Sequence, residues 1–445
     1  MIVVNLKNVS IHPKVLFLKR VVVETQKDWR LEMSPYWVLW LVLCIVVIKD
    51  ATFSSTTKIM KYEFYFIFAV MSLALIWRYG QGTDYFGYYV NYLLVPEHTI
   101  SFPNYGEVHG ELGWLFLCNL FRVIHAPYEL FVALVSAMQM WCLFLFMNKY
   151  CVESPMALML SIPSLYFIYF MSGLRQGCVI AVLLGILLPL LEERKYFLFY
   201  IIVILCITIH SVACVFLFLP LVQWIRKTFV LLIMTAAAWM IGILFTIPIF
   251  QQFFLTINIG SLQYYLSDTI SNVNFSIMAI AERVLLFLIV TFLYYRMWKS
   301  HECNGRYSFI YRCYLVAVAS YGLLSWNGFI ASRTMAAIQF VEIHLIVTAL
   351  KYLVKREKCV IVGILVVLNS FMLFKNINAA ILQGQYNNTD NYNYPYISIF
   401  ESEKIFKIRE FPKGWLKIIS NDHPISKEIE LEHWLHEEET KKTIV

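Results

Sequence analysis

The chain is dominated by apolar stretches that are each long enough to cross a lipid bilayer. About 20 consecutive apolar residues span the roughly 30 Å hydrocarbon core of a membrane. Ten stretches come close to or meet this length: residues 35–49, 62–77, 128–148, 156–172, 174–191, 228–250, 277–298, 309–329, 335–353 and 359–376. Only 15% of the residues are charged, whereas soluble domains carry about 25%. The sequence therefore predicts an all-α, polytopic transmembrane helical bundle.

Two further apolar segments bring the expected number of membrane segments to between ten and twelve. Residues 112–124 are short and contain Arg122, which is typical of an interfacial or re-entrant helix. Residues 197–222 have His210 near their middle and basic residues on both flanks. Because basic flanks stay in the cytoplasm, we expect this segment to be re-entrant or bent around His210. A single straight crossing would place one basic flank outside.

The distribution of basic residues also predicts the orientation. Lys and Arg cluster after several apolar stretches, whereas residues 79–110 and 251–276 contain neither. The positive-inside rule then places the basic clusters in the cytoplasm and the two loops without Lys or Arg outside. The expected location is the cytoplasmic membrane, with several ionisable side chains near its outer face: Arg78, Asp84, Glu111, Arg175, His210, Arg283 and Arg333.

The two ends of the chain differ in character from the membrane domain predicted for residues 33–376, whose outer loop is 78–111. Residues 1–32 carry six basic residues that this topology would place outside, and they lack the pattern of a signal peptide. We hypothesise that translation starts at Met33 and that residues 1–32 are an upstream extension. Residues 377–445 comprise an Asn/Tyr-rich segment followed by a charged tail.

Arginines from distant parts of the chain fall on one predicted face of the membrane. An ionisable group at membrane depth costs about 2.5–3.5 kcal/mol and is usually buried in a cavity with a partner. Guanidinium groups match phosphate oxygens and keep their charge when desolvated. An anionic ligand at this face would explain why Arg78, Arg175 and Arg333 lie there.

The densest polar motif is Arg78-Tyr-Gly-Gln-Gly-Thr-Asp-Tyr-Phe-Gly-Tyr-Tyr89. Its glycines allow a ligand to approach the backbone, Asp84 supplies a carboxylate, and its tyrosines supply flat rings with hydroxyls. This combination is suited to holding a sugar. An interfacial aromatic belt with a snorkelling Arg78 accounts for the same residues, so both interpretations remain open.

Shorter motifs carry the other candidates. Glu111 lies in His109-Gly-Glu-Leu-Gly-Trp114, where the helix dipole alone would favour it. Arg175 lies in Ser172-Gly-Leu-Arg-Gln-Gly177 at a tight turn, and His210 could equally be a hydrogen-bonded core histidine. We expect Glu282 with Arg283, and Glu342 with His344, to form neutralising internal pairs. The sequence contains no cysteine or histidine spacing typical of a zinc site.

Six motifs in order resemble the EpsG-like family of bacterial polysaccharide polymerases, which are Wzy-type proteins of capsule and exopolysaccharide synthesis. They are Arg78-Tyr-Gly-x-Gly-Thr-Asp-Tyr85, Glu111-x-Gly113, Ser172-Gly-x-Arg-Gln176, His210-Ser211, Arg333 and Tyr394-Pro-Tyr396. The resemblance spans about residues 33–400. The tail beyond residue 400 departs from the family pattern, and the resemblance implies no role for it.

The resemblance implies a membrane glycosyltransferase that joins undecaprenyl-diphosphate-linked oligosaccharide repeat units at the outer face of the membrane. Diphosphate binding would then fall to Arg78, Arg175 and Arg333, and sugar binding to Tyr79, Tyr85, Tyr88 and Gln176. The candidates for the base that activates the acceptor hydroxyl are, in order, Asp84, Glu111 and His210. The implied partners are the lipid-linked oligosaccharide, membrane lipid, a chain-length regulator and a flippase. Neither a cofactor nor a metal is implied, and no nucleic acid.

Two other functions remain open. A flippase or transporter of lipid-linked oligosaccharide would also place arginines and a histidine in a membrane cavity, although transporters typically contain internal repeats and none is visible here. A sugar acyltransferase could use a membrane histidine with a carboxylate, but the number of arginines favours a diphosphate over an acyl donor.

Overall fold

The computed structural model describes residues 33–53, 57–100, 108, 110–151, 154–225, 227–245 and 277–419. Within these residues the chain is helical and has no β-strand, only two isolated bridges, Arg78 with Ser398 and Tyr386 with Arg409. The predicted all-α class is confirmed. Residues 1–32, and with them the Met33 hypothesis, lie outside the described part.

The helices are named here in chain order. They are α1 (Pro35–Phe53), α2 (Thr57–Ile76), α3 (Tyr85–Leu94), α4 (Leu112–Val123), α5 (Tyr128–Tyr150), α6 (Pro155–Phe170), α7 (Leu174–Glu192), α8 (Tyr196–Ile209), α9 (Ser211–Trp224), α10 (Thr228–Leu244), α11 (Ile277–Lys299), α12 (Gly305–Leu323), α13 (Gly328–Gln339), α14 (Glu342–Ala349), α15 (Lys355–Gln383), α16 (Glu403–Ile408) and α17 (Lys413–Ile419). The second half of α6 is π-helical, and most of α9 is a 3₁₀-helix.

Five of the described helices are long and apolar enough to cross a membrane, namely α1, α2, α5, α7 and α15. A sixth crossing is possible through α13 and α14, which pass the same test together but meet at an angle of 50°. The predicted multi-pass membrane architecture is confirmed. The total of ten to twelve segments stays a prediction, because five further apolar helices have only 10–17 residues.

Charged side chains mark one end of the bundle, which we call the basic end. There Glu192 accepts hydrogen bonds from Tyr150 (2.9 Å) and Arg306 (2.5 Å), and Lys149 lies 3.5 Å from the same carboxylate. Because α7 begins at Leu174 and ends at Glu192, the opposite end is about 28 Å away. We call that opposite end the motif end, since it carries residues 77–84 and the start of α7.

The segment around His210 doubles back on itself. The helix α8 ends at His210, whose extended backbone (φ −153°, ψ 123°) interrupts the helical path. The following α9 returns, because the Gln223 side chain donates a hydrogen bond to the carbonyl of Leu191 (3.1 Å). Residues 191 and 223 therefore lie at the same end of the bundle. The predicted bend around His210 is confirmed.

The chain that follows α15 folds back onto the motif end. The backbone N–H of Tyr79 donates to the carbonyl of Ile397 (2.9 Å), and the N–H of Ile399 donates to Trp77 (2.8 Å). The helix α15 itself continues to Gln383, past the residue at which the sequence predicts the membrane domain to end. Residues 384–419 thus pack on the Arg78 motif, while the charged stretch 425–442 lies outside the described residues.

Candidate functional site

Glu111 lies at the centre of a polar cluster at the motif end. Its Oε2 accepts a hydrogen bond from Arg175 Nη1 (2.5 Å), and its Oε1 accepts one from the backbone N–H of Ser211 (3.0 Å). The Nδ1 atom of His210 is 4.0 Å from the same Oε1. The structure thus brings together Glu111, Arg175 and His210, which are candidates from three separate parts of the sequence.

Close helix packing explains how Glu111 reaches this position. A Cβ atom at Gly113 would lie 2.2 Å from Thr208 Oγ1 and 2.9 Å from the Thr208 carbonyl. Only glycine therefore lets α4 approach α8 closely enough to place Glu111 beside the start of α9. The carboxylate makes no capping bond to its own helix, so stabilisation of that helix end does not account for where the side chain points.

The electrostatics of the cluster keep Glu111 ionised. Burial opposes ionisation, but the Arg175 guanidinium and the Ser211 N–H outweigh it and lower the pKa of Glu111 below its ordinary value. His210 accepts a hydrogen bond at Nδ1 from the N–H of Val212 (3.2 Å). In the neutral ring the proton must then be on Nε2, so His210 presents a donor at its outer nitrogen.

Tyr88 and Asp84 lie next to this cluster. The Arg175 guanidinium is 5.4 Å from the centre of the Tyr88 ring, a cation–π distance. Asp84 is exposed immediately before α3, accepts a hydrogen bond from its neighbour Thr83 (2.9 Å), and interacts electrostatically with Arg175. Asp84 is therefore the most accessible of the three carboxylate or imidazole candidates.

Arg333 approaches the cluster from α13. Its half-buried guanidinium lies 3.9 Å from the centre of the Phe329 ring and interacts electrostatically with Tyr88 and His210. In the part of the chain that the structure describes, no carboxylate lies within 4.0 Å of this guanidinium. Gln176 donates a hydrogen bond to the backbone carbonyl of Arg333 (2.8 Å), so its amide nitrogen joins α7 to α13.

Arg78 occupies a different environment from the other two candidate arginines. It is 1% exposed, Nη1 donates to the Leu75 carbonyl (2.6 Å) and to Ser136 (2.7 Å), and Nη2 donates to the Phe170 carbonyl (3.0 Å). These bonds join α2, α5 and α6. The guanidinium is thus directed at protein atoms in the core.

The predicted sugar-binding tyrosines also separate in the structure. Tyr79 and Tyr85 are 1% and 0% exposed and pack against each other with ring centres 5.6 Å apart. Tyr88 is also buried, at 8% exposed, but it is the one of the three that lies beside Arg175. Burial of the first two rings leaves their faces in contact with protein.

Two residues without a predicted role hold the loop that carries Asp84. The Ser172 hydroxyl accepts a hydrogen bond from the N–H of Thr83 (2.9 Å). Gly82 has φ +88°, and a Cβ there would lie 2.7 Å from Ser172 Cα. Glycine is therefore required in this turn both by its conformation and by the close contact.

The second of these residues is Arg409, from the tail beyond the motifs. It is buried, its Nη1 donates to the carbonyls of Gly80 and Gly82 (3.0 Å each), and its Nη2 donates to that of Thr83 (3.0 Å). Its guanidinium also lies 5.1 Å from the centre of the Phe86 ring. The apolar residues around Arg409 in the charged tail were the sequence signal that could have indicated a buried role.

The two expected neutralising pairs are wrong within the described residues. Glu282 pairs with Lys375 (2.5 Å), while Arg283 donates to Ser332 (3.1 Å) and to a backbone carbonyl. His344 contacts the Tyr150 carbonyl (2.6 Å) at the basic end and is not paired with Glu342. No group of three or more His, Cys, Asp or Glu side chains is placed to bind a metal in the described ranges.

Comparison with known proteins gives one result. The sequence matches the family model described as the EpsG family over residues 31–398. Comparisons with curated proteins and with solved structures give no match. The matched range contains the whole Glu111 cluster and ends before Arg409.

Proposed function

The chain belongs to the EpsG family, whose members are membrane proteins of polysaccharide biosynthesis, and we propose that it is a Wzy-type polymerase. It joins undecaprenyl-diphosphate-linked oligosaccharide repeat units into capsular or exopolysaccharide at the outer face of the cytoplasmic membrane. One observation carries this proposal. Glu111, Arg175 and His210 form a connected cluster, with the cation of Arg333 close to it.

In the proposed reaction, a hydroxyl of the incoming repeat unit attacks the anomeric carbon of the growing chain. The bond from that carbon to the lipid diphosphate breaks, and the diphosphate leaves with the bonding electrons. We assign stabilisation of this leaving group to Arg333. The assignment is supported by the absence of a carboxylate partner for its guanidinium in the described part of the chain. Arg175 contributes through the donors that remain beyond its bond to Glu111.

Asp84 is our proposed base, which takes the proton of the attacking hydroxyl. Both Glu111 oxygens already accept hydrogen bonds, which makes them weaker proton acceptors, so Glu111 positions Arg175. The Nδ1 of His210 is likewise occupied, so His210 donates a hydrogen bond from Nε2. Tyr88 provides the sugar-facing ring, whereas Arg78, Tyr79 and Tyr85 support the loop from the core.

The test is polymerisation by the purified full chain in vesicles that contain the lipid-linked repeat unit of the source bacterium. Losing one preorganised charge partner typically slows a reaction by about 10²–10³-fold, which is the loss expected for Arg333→Ala. Losing a general base costs about 10²–10⁴-fold, which is the loss expected for Asp84→Asn. The matched control is Arg296→Ala, which removes an arginine paired with Glu357 (2.8 Å) away from the cluster and should leave the rate unchanged.

Two outcomes contradict the proposal. Normal rates from both Arg333→Ala and Asp84→Asn would remove the assigned roles. Transport of the lipid-linked unit across the vesicle membrane without any polymer from the wild type would identify a flippase. Polymer analysis by gel electrophoresis and assay of the exposed lipid-linked unit distinguish the two results.

A further inference from the structure

A polar cavity lies between α6, α11, α13, α14 and α15, outside the Glu111 cluster. Its volume is about 100 Å³. The charged and amide side chains in its wall are Glu282, Arg283, Gln339, Glu342, Asn369, Lys375 and Asn376. Lys375 and Asn369 are six residues apart on α15, so the cavity extends about 9 Å along that helix. Polar walls of this depth are unusual in a membrane bundle and usually mark a binding site or pathway.

Glu342 differs from the other residues of this wall because it is a buried carboxylate with an unsatisfied oxygen. It is only 7% exposed, and within the described residues its Oε2 accepts no hydrogen bond of normal geometry. The Tyr314 hydroxyl lies close to this carboxylate and likewise has no hydrogen-bond partner of normal geometry there. Buried polar groups in this state are costly, and a ligand hydroxyl that reaches the Glu342 carboxylate would satisfy it.

The neighbouring amides present further acceptors. Asn369 donates from its side-chain nitrogen to the Leu365 carbonyl (2.9 Å), and Asn376 donates to the Pro163 carbonyl (2.7 Å). These bonds use amide hydrogens, and each amide also carries an oxygen that can accept hydrogen bonds. The cavity therefore offers several acceptors to a ligand that carries several hydroxyl donors.

The cations of the cavity wall, Arg283 and Lys375, are already bonded to other protein groups. Glu282 already pairs with Lys375, and Arg283 is bonded to Ser332. A diphosphate requires unpaired positive charge, whereas a neutral ligand rich in hydroxyls matches this wall.

The cavity adjoins the Glu111 cluster through α13 and Tyr169. Ser332 lines the cavity and is the neighbour of Arg333. Tyr169 also lines it, packs edge-to-face on Phe340 (5.7 Å), and interacts electrostatically with both Arg283 and Arg333. A ligand anchored at Arg333 could therefore extend into the cavity.

We propose that this cavity is a saccharide subsite, in which Glu342 accepts a hydrogen bond from a hydroxyl of the lipid-linked oligosaccharide. This inference rests on the proposed function, because it assigns the sugar portion of the same substrate to a place separate from the diphosphate. Asn369 and Asn376 accept further sugar hydroxyls, and Tyr169 offers its ring face.

The experiment measures binding of two lipids to the full chain in nanodiscs. The probes are undecaprenyl diphosphate alone and the undecaprenyl-diphosphate-linked repeat unit. Leaving a buried hydrogen-bonding group without its partner typically costs about tenfold or more in affinity. Glu342→Gln and the nearly isosteric Asn369→Leu should therefore weaken binding of the repeat unit about tenfold and leave binding of undecaprenyl diphosphate unchanged.

The control is Glu192→Gln, which makes the same chemical change at the basic end and should alter neither affinity. Unchanged binding of both lipids by Glu342→Gln and Asn369→Leu would overturn the subsite. Equal weakening of both lipids would also overturn it, because the residues would then act through the fold or the diphosphate. Failure of the wild type to bind the repeat unit would instead contradict the proposed function itself.

Discussion

Removing Arg409 should release the loop that carries Asp84. Three hydrogen bonds run from its guanidinium to the backbone carbonyls of Gly80, Gly82 and Thr83, at 3.0 Å each. A hydrogen bond to a charged group is worth about 1.5–3 kcal/mol. Three of them give about 4.5 kcal/mol at the low end, and Arg409→Ala leaves the buried carbonyls without this donor.

A loss of that size lowers the population of the ordered loop about 10³-fold relative to alternatives. We expect Arg409→Ala to lower the melting temperature of the full chain in detergent, measured by fluorescence-detected size-exclusion chromatography, and to reduce polymer formation. Arg409→Lys should give an intermediate effect, because an ammonium group lacks the planar fork. Lys404→Ala, which removes a half-exposed residue paired with Glu401 (2.7 Å), is the control.

The reasoning fails if Arg409→Ala melts and polymerises like the wild type. A lower melting temperature with full polymerisation at low temperature would show that the bonds stabilise the fold without positioning Asp84. In that second case the hydrogen bonds of Arg409 would matter for stability and not for the position of Asp84.

Two further predictions concern the Glu111 cluster. Gly113→Ala should destabilise the chain by about 1–3 kcal/mol, because the added methyl would lie 2.2 Å from Thr208 Oγ1. A melting temperature equal to that of the wild type would contradict the close packing of α4 on α8. Since the pKa of Glu111 is lowered, its pair with Arg175 stabilises the chain above the ordinary pKa and loses this effect only as the pH falls through the lowered value. Melting curves of Glu111→Gln should therefore show a smaller loss of stability on acidification than wild type, and parallel curves would refute the pairing.

The helical class and the bend at His210 could be predicted from the sequence because both depend on local information. Apolar length predicts a helix, and basic flanks on both sides of residues 197–222 predict that the segment returns. The proximity of Glu111 and Arg175 could also be predicted from the sequence, since each lies at a helix end on the same predicted side of the membrane.

The role of each arginine could not be predicted from the sequence. Arg78 and Arg175 both lie at helix ends and are chemically identical, yet one is bonded to core atoms and the other to a carboxylate. The partners that decide this are distant, because Ser136 is 58 residues and Phe170 is 92 residues from Arg78. Arg409 lies 329 residues from Gly80. No local pattern encodes contacts of this range.

The attachment of Arg409 to Gly80–Thr83 has a consequence for biogenesis. Every helix long and apolar enough to cross the membrane lies between Pro35 and Gln383 in the described chain, so these helices leave the ribosome before Arg409 does. The loop that carries Asp84 can then acquire its final shape only after all of these helices have been synthesised. A chain truncated before Arg409 would contain every one of these helices and would still lack the three bonds that hold this loop.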